Sequence, residues 1–294
     1  MKILVTGGAG FIGSNLIMAL LQHNHQVVSI DNYYTGKTAN LSPFKDNPNF
    51  KEYSYDITIP WKDNPEATNI WGTQNLIEFT LAQKSARLLF SSTSEVYGDP
   101  HEHPQKESYH GNVNPIGIRA CYDEGKRAAE TFCFDSKRQF GLNVAVIRIF
   151  NTYGINMLPD DGRVVSNFIV QALKGRELTV YGDGTQTRSL CYVDDLVRGI
   201  ILMMNHPQHI SGPINLGNPH EQTVQELAEQ ILNLTGSSSK IRYLPLPSDD
   251  PKKRKPDITL AQQYLDWEPT VPVTTGLTQT ISYFKNALTK TTIT

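Results

Sequence analysis

The chain has 294 residues, 39% of them hydrophobic and 19% charged, and a net charge of −2. That length buries one large core or two modest ones, and the near-neutral balance leaves no electrostatic footprint for nucleic acid or an anionic membrane. Its three cysteines, Cys121, Cys133 and Cys191, are odd in number and lack metal-ligand spacing, which predicts reduced, half-buried thiols and no metal site. A first strand starting at residue 2 leaves no room for a signal peptide, and no apolar run is long enough to span a bilayer. The expectation is a soluble, cytoplasmic protein.

In chain order, Lys2 to Val5 reads as a buried strand that runs into Thr6-Gly7-Gly8-Ala9-Gly10-Phe11-Ile12-Gly13. Gly7 permits the tight turn, Gly10 lets the backbone approach a pyrophosphate, and Gly13 lets the next helix lie close on the strand, its N-terminus facing the negative charge. That helix is amphipathic through Phe11, Ile12, Leu16, Ile17, Leu20 and Leu21. A second strand, Val27 to Ile30, ends at Asp31, an acid about twenty residues beyond the loop and placed for a ribose hydroxyl pair, which favours NAD over its 2′-phosphorylated relative. A glycine turn in an ordinary βα unit with a surface Asp is the plainer alternative.

A strand from Phe50 to Ser54 follows, then a helix from about Ala67 to Gln83, a strand from Arg87 to Ser91, a helix from about Cys121 to Phe140 and a strand from Val144 to Phe150. This βαβ rhythm predicts an α/β fold built on a doubly wound parallel Rossmann sheet, with ligands beyond the carboxyl ends of the strands. Asp31, Asp56, Thr93 and Asn151 fall at such ends. The cofactor set expected is Gly7, Gly10, Phe11, Ile12, Gly13, Asp31, Asn32, Asp56 and Ile57, joined by Tyr122 and Lys126. From Ile155 onward prolines and glycines thicken and elements shorten, which suggests a dinucleotide domain over 1–154 and a smaller α/β substrate domain over 155–294. The helix from Val193 to about Met204 returns to the main sheet, so 190–206 joins the first domain.

Tyr122 and Lys126 lie four apart and so share a helix face, where the ammonium is expected to lower the phenol's pKa and make it a base toward an alcohol. With the glycine loop, Tyr-x-x-x-Lys resembles the extended short-chain dehydrogenase/reductases that act on nucleotide sugars. Within them, Ser91 to Pro100, Gly111 to Gly117 and Asp160 to Phe168 are similar to the UDP-glucuronate decarboxylase family, also called UDP-xylose synthases, over nearly the whole chain.

The resemblance implies that Tyr122, poised by Lys126 and Thr93, takes the proton from the sugar C4 hydroxyl while NAD⁺ takes the hydride. The carboxylate then lies β to a ketone and leaves as carbon dioxide, C5 is protonated, and C4 is reduced again to give UDP-xylose with the cofactor reused. Glu95 and Ser94 would work on the carboxylate side, with Arg254 of the Arg-Lys-Pro-Asp segment. Asn151, Arg163, Tyr181 and Arg188 match the family's UDP contacts, and a fork-shaped cation suits a diphosphate. For Arg254 the plainer alternative is a solvated basic patch over Lys252 to Lys255. A homodimer is implied, with the Tyr helix and its neighbour as the face. A dTDP-glucose 4,6-dehydratase would want an acid where Ser94 stands, and a 4-epimerase has little use for Glu95; both stay open.

The chain departs from the family between Asp56-Ile57-Thr58 and Asn69 to Thr73. Members carry a further mid-sheet strand there, and Ile59 to Thr68 is short by roughly 20 residues, about a strand with its connections. Either the natural protein has residues that this sequence lacks near Pro60 to Asn64, or the strand has been lost. The first keeps Leu4 and Leu89 about 10 Å apart, two strand spacings, and the second pairs their strands directly. A true deletion would suit an inactive NAD-binding scaffold.

Overall fold

The computed structural model describes residues 1–58, 69–83, 86–245 and 253–291. The expected helix start at Ala67, the segment Ile59 to Thr68 and Lys252 lie outside the described residues. In chain order the elements are β1 Lys2–Thr6, α1 Phe11–Gln22, β2 Gln26–Asp31, the one-turn α2 Thr38–Leu41, β3 Phe50–Ser54, α3 Trp71–Ala82, β4 Leu88–Thr93, α4 Ala120–Phe140 and β5 Val144–Ile149. They continue with β6 Thr152–Tyr153, α5 Val164–Leu173, β7 Leu178–Tyr181, β8 Thr187–Ser189, β9 Cys191–Tyr192, α6 Val193–Asn205 and β10 Ile214–Leu216. The last are β11 Glu221–Thr223, α7 Val224–Thr235, β12 Ile241–Leu244, α8 Thr259–Leu265 and α9 Val273–Thr291.

Every ladder among β1 to β5 is parallel, because each strand is followed by a helix that crosses back over the sheet. The strands form two groups, ordered β1-β2-β3 and β10-β5-β4. Among the described residues β1 pairs only with β2 and β4 only with β5. The direct pairing that a closed-up deletion requires is therefore not there. Leu4 of β1 is exposed, as a strand edge is, where a strand flanked on both sides would be covered.

Helices join the two groups. Leu16 of α1 packs against three apolar clusters at once, those of β1 and β2, of β5 and β10, and of the C-terminal region. Asn15 Nδ2 donates to the Ile155 carbonyl at 3.0 Å and Asn156 Nδ2 to Ser14 Oγ at 3.2 Å. These bonds bring the start of α1, just beyond β1, beside the chain just beyond β5 and β6, so both strand groups present their carboxyl ends to one side.

Several parts of the chain after residue 190 touch α1 or the β5–β10 layer. Helix α6 packs on α1, β10 pairs with β5, and Trp267 is wholly buried with Ala261 and Leu265 against the β5–β10 layer. The outer part of the C-terminal region has its own core, with Val165, Phe168 and Ile169 of α5 facing Leu227 and Ile231 of α7 and Leu277, Ile281 and Phe284 of α9. Thr223 and Glu226 close a capping box at the start of α7, which fixes that helix beside β11.

A buried ion pair fixes the Tyr-bearing helix. Arg148 of β5 and Glu130 of α4, with side chains 12% and 10% exposed, meet through Nη2–Oε2 at 2.7 Å and Nε–Oε1 at 2.9 Å, and Ser92 Oγ also donates to Glu130. Removing one partner strands a desolvated charge. Glu130→Ala is therefore expected to lower the unfolding free energy in urea by about 3–5 kcal/mol, and the double change Glu130→Gln, Arg148→Met by less. Equal losses in the two variants would refute this account of the pair.

Candidate active site

The glycine loop is held from both sides. Gly7 has φ +69°, open to glycine without strain, and its N–H donates to the Ile30 carbonyl at 2.8 Å. A Cβ at Gly13 would collide with the Gly7 carbonyl oxygen and lie 2.8 Å from Gly8 Cα, so α1 can approach the loop only because this residue has no side chain. No side chain caps α1, which leaves the amides of its first turn, Phe11 and Ile12 among them, unsatisfied by any cap. Asp31 is not a surface residue. It is buried and accepts from the Ala9 amide at 2.9 Å and the Tyr33 amide at 2.8 Å, so it braces the loop as well as ending β2. At the end of β3, Asp56 accepts from Thr58 N and Oγ1 and from Asn32 Nδ2, and these bonds hold its carboxyl below the usual range. The carbonyl of Ile57 accepts from Asn75 Nδ2 at 2.6 Å. A cradle closed to side chains, an uncapped helix start and an acid at the next strand end fit a dinucleotide.

The second half of the site is built on β4 and α4. Beyond Thr93 the chain makes one 3₁₀ turn, Ser94–Tyr97, in which Thr93 Oγ1 accepts from the Glu95 amide at 3.3 Å and Ser94 Oγ donates to Glu95 Oε1 at 3.4 Å. Glu95 lies between two guanidinium groups, with Arg119 Nη2 2.8 Å from Oε2 and Arg254 Nη2 3.3 Å from Oε1. Arg254 is 2% exposed and its Nη1 donates to the Gly98 carbonyl at 2.9 Å, so it is no part of a solvated patch. Three bonds between Gln105 and the 255–257 segment hold it there.

Tyr122 and Lys126 stand near each other on α4, but the ammonium does not lower the phenol's pKa as the spacing suggested. Burial raises the phenol above the ordinary tyrosine value, and Glu95 and Asp123 add to the rise; a hydrogen bond with Thr93 and the Arg119 charge oppose it. Lys126 reaches inward instead. Its Nζ donates to the Ser91 carbonyl at 2.9 Å and lies 4.9 Å from the centre of the Phe90 ring, and burial lowers its pKa to about 8 against the pull of Glu130.

The residues expected to hold the nucleotide sugar are more dispersed. Asn151 follows β5, where its carbonyl accepts from Cys191 N at 2.9 Å. Arg163 is ion-paired with Asp161 at 2.8 Å and lies 5.4 Å from the centre of the Phe11 ring, which places it over the first residue of α1. Arg188 is in register with Gln222 on the neighbouring β11, and its charge reaches Arg254. Tyr181 is exposed at the end of β7, and among the described residues no side-chain bond ties it to the other candidates. Cys133 and Cys191 are buried, whereas Cys121 is exposed.

Residues 3–217 match the model of the NAD-dependent epimerase/dehydratase family. The chain belongs to this family. Within it, a zebrafish protein named UDP-glucuronic acid decarboxylase 1 is 48% identical, with 98% of this chain and 73% of that protein covered. Arabidopsis thaliana UDP-glucuronic acid decarboxylase 6 is 50% identical over 94% of this chain and 87% of its own length. Among solved structures, the Bacillus cereus UDP-glucuronic acid 4-epimerase in complex with UDP-glucuronic acid and NAD is 30% identical, with a TM-score of 0.87 over 98% of this chain and all of that one. The zebrafish alignment runs over 310 residues against 294 in this chain, so that family member carries residues with no counterpart here.

Arg119, Asp123, Glu130 and Arg148 are not among the residues singled out from the sequence. Glu130 follows Lys126 by four residues, the same helical spacing that drew attention to Tyr122, so its place on the inner face was legible. Arg119 and Arg148 gave no such signal, because their partners are distant in the chain.

Burial acts on Lys126 against its charged form, and the sign of the resulting pH dependence follows. The folded state releases this proton near pH 8 and the unfolded chain near 10.5, so between those values the unfolded state binds more protons and stability rises with pH. Relative to Lys126→Met, the wild-type unfolding free energy should be flat below about pH 8 and climb from there to about 10.5. Urea titrations of both proteins across that range read this directly, and parallel curves would contradict it.

Proposed function

We propose that the protein converts UDP-glucuronate to UDP-xylose by decarboxylation through a 4-keto sugar, with NAD as a recycled cofactor. The observation that carries this reading is the buried Arg254 guanidinium, engaged by Glu95 beside the Tyr122–Thr93 pair. A desolvated cation at that place suits a substrate carboxylate, which a neutral hexose lacks. The names of the zebrafish and Arabidopsis relatives support the same substrate.

The dinucleotide would be held by Gly7, Gly10, Gly13 and the first-turn amides of Phe11 and Ile12, with Asp31, Asn32, Asp56 and Ile57 beyond the next strand ends, and Tyr122 and Lys126 on α4. Bound there, NAD would supply the hydride acceptor for sugar C4 and the donor for its later reduction. Tyr122, as its phenolate, takes the proton of the C4 hydroxyl and gives it back when C4 is reduced, with Thr93 hydrogen-bonded to the phenol oxygen; Lys126 holds the backbone below it through the Ser91 carbonyl. The carbon–carbon bond to the carboxylate then breaks, its electron pair delocalises into the ketone as an enolate, and C5 gains a proton. Glu95, Ser94 and Arg254 orient the carboxylate for that loss. Asn151, Arg163, Tyr181 and Arg188 bind the UDP moiety, in a nucleotide-sugar region over 155–294 that faces the dinucleotide region over 1–154 and 190–206.

We further place the protein in the cytosol as a homodimer. Phe79 of α3 and Phe132 of α4 are exposed on adjacent helices, which supports an apolar face between two copies. No helix among the described residues is long and apolar enough to cross a membrane.

Incubation with UDP-glucuronate and NAD⁺, with carbon dioxide measured and the sugar identified by mass spectrometry, tests the assignment. Release of carbon dioxide with UDP-xylose is expected, and Tyr122→Phe should lower the rate about 10²–10⁴-fold. UDP-galacturonate formed without carbon dioxide would mark a 4-epimerase, and turnover of dTDP-glucose a dehydratase. A protein that retains NAD and turns over none of these would be a scaffold whose two strand groups do not hold the reactants together.

A further inference from the structure

Decarboxylation consumes one proton at C5 each turnover, and Asp123 is placed to supply it. Asp123 directly follows Tyr122 in the first turn of α4, where the helix dipole favours a carboxylate. It is nevertheless 8% exposed, and its Oδ1 is buried with no hydrogen-bond partner among the described residues. Burial, together with the Glu95 charge and a lesser push from Glu124, raises its pKa from 3.8 to about 6, against the pull of Arg119 and Arg254. The charged groups that face it thus come from the 3₁₀ turn after β4, from its own helix and its N-cap, and from the segment after β12.

Counted by charge, this corner holds two carboxyls, Glu95 and Asp123, and two guanidinium groups, Arg119 and Arg254, while Arg188, whose charge also reaches Arg254, is taken by the UDP diphosphate. A substrate carboxylate makes three acids to two cations around an arginine that is itself 2% exposed. An unbalanced buried charge is costly, and proton uptake by Asp123, whose buried, unpartnered Oδ1 has no bond among the described residues that favours the charged form, relieves it. We propose that Asp123 takes up a proton when the carboxylate substrate binds and delivers it, through Glu95, to C5 as carbon dioxide leaves.

The step balances. The C5–carboxyl bond breaks and leaves its electron pair on the enolate, Asp123 passes its one stored proton to the ionised Glu95, which hands it on to C5, and the departing carbon dioxide carries no charge. The corner returns to two acids and two cations, and Asp123 is ionised until the next carboxylate arrives. Asp123 acts through Glu95, so it is a positioning and proton-storing residue.

This inference rests on the decarboxylase reading, and its test is a binding measurement that does not depend on turnover. In the NAD-loaded Tyr122→Phe protein, calorimetric titration with UDP-glucuronate at pH 7 in buffers of different ionisation heat should show net uptake approaching one proton per site. UDP-glucose, which has no carboxylate, should show none. Asp123→Asn in the same background should lose the uptake, and Asp123→Glu should restore it. With Tyr122 intact, Asp123→Asn should raise the fraction of substrate released as a decarboxylated or 4-keto species of incomplete reaction several-fold, and Asp123→Glu should reverse this. Absence of proton uptake with UDP-glucuronate, or uptake unchanged in a folded Asp123→Asn protein, would overturn the assignment. Failure of the wild-type protein to release carbon dioxide would instead overturn the reading beneath it.

Discussion

The guanidinium of Arg148 is the constraint on which the rest of the site depends. It holds Glu130 of α4 with two bonds, donates to the Tyr97 hydroxyl at 3.0 Å and the Glu107 carbonyl at 3.1 Å, and lies 4.9 Å from the centre of the Tyr97 ring. Tyr97 in turn donates to Asn215 of β10, whose amide reaches the carbonyls of Gln105 and Asp257. One buried polar chain therefore runs from the helix that carries Tyr122, across β5, to the segment that carries Arg254. A satisfied network of this kind is rigid because leaving any member unpaired is expensive. Tyr122 and Arg254 are far apart in the sequence, and this chain of bonds sets their separation.

How much of this could be read from the sequence divides along physical lines. Local signals were sufficient for the strands, since β1 to β5 fall within a residue or two of the apolar runs, and for the glycine loop, where Gly13 leaves no room for a Cβ. The pairing of β10 with β5 was missed because three residues, Ile214–Leu216, are too short for periodicity to register. The direction of the phenol's pKa was also out of reach. Spacing gives the separation of two Cα atoms on a helix but not where a long side chain ends, and Lys126 ends at the Ser91 carbonyl. Arg254 ran the other way. Its neighbours in sequence are cations, which reads as a solvated run, yet a β-bridge between Gln105 and Pro256 draws it into the interior.

The acidic and basic groups around Glu95 also show why a helix start suits this chemistry. The first turn of α4 carries Tyr122 and Asp123, and its N-cap is Arg119, so a phenol, a carboxyl and a guanidinium come from one turn of backbone. Glu95 arrives from the 3₁₀ turn after β4 and Arg254 from the far segment. The opposing charges keep the corner near neutrality, with Asp123 and Arg254 buried on its inner side and Arg119 and Tyr122 reaching solvent on the outer.

The contacts of Asn15, Asn156 and Arg163 across the start of α1 carry a last consequence. They tie the chain beyond β6 to the first turn of α1, the helix start whose loop fits a dinucleotide. Affinities for two ligands that share one such seam are thermodynamically linked, and linkage is reciprocal. A seam through which one ligand raises the affinity of the other does so by the same factor in both directions, which favours a dinucleotide that stays in place while nucleotide sugars come and go.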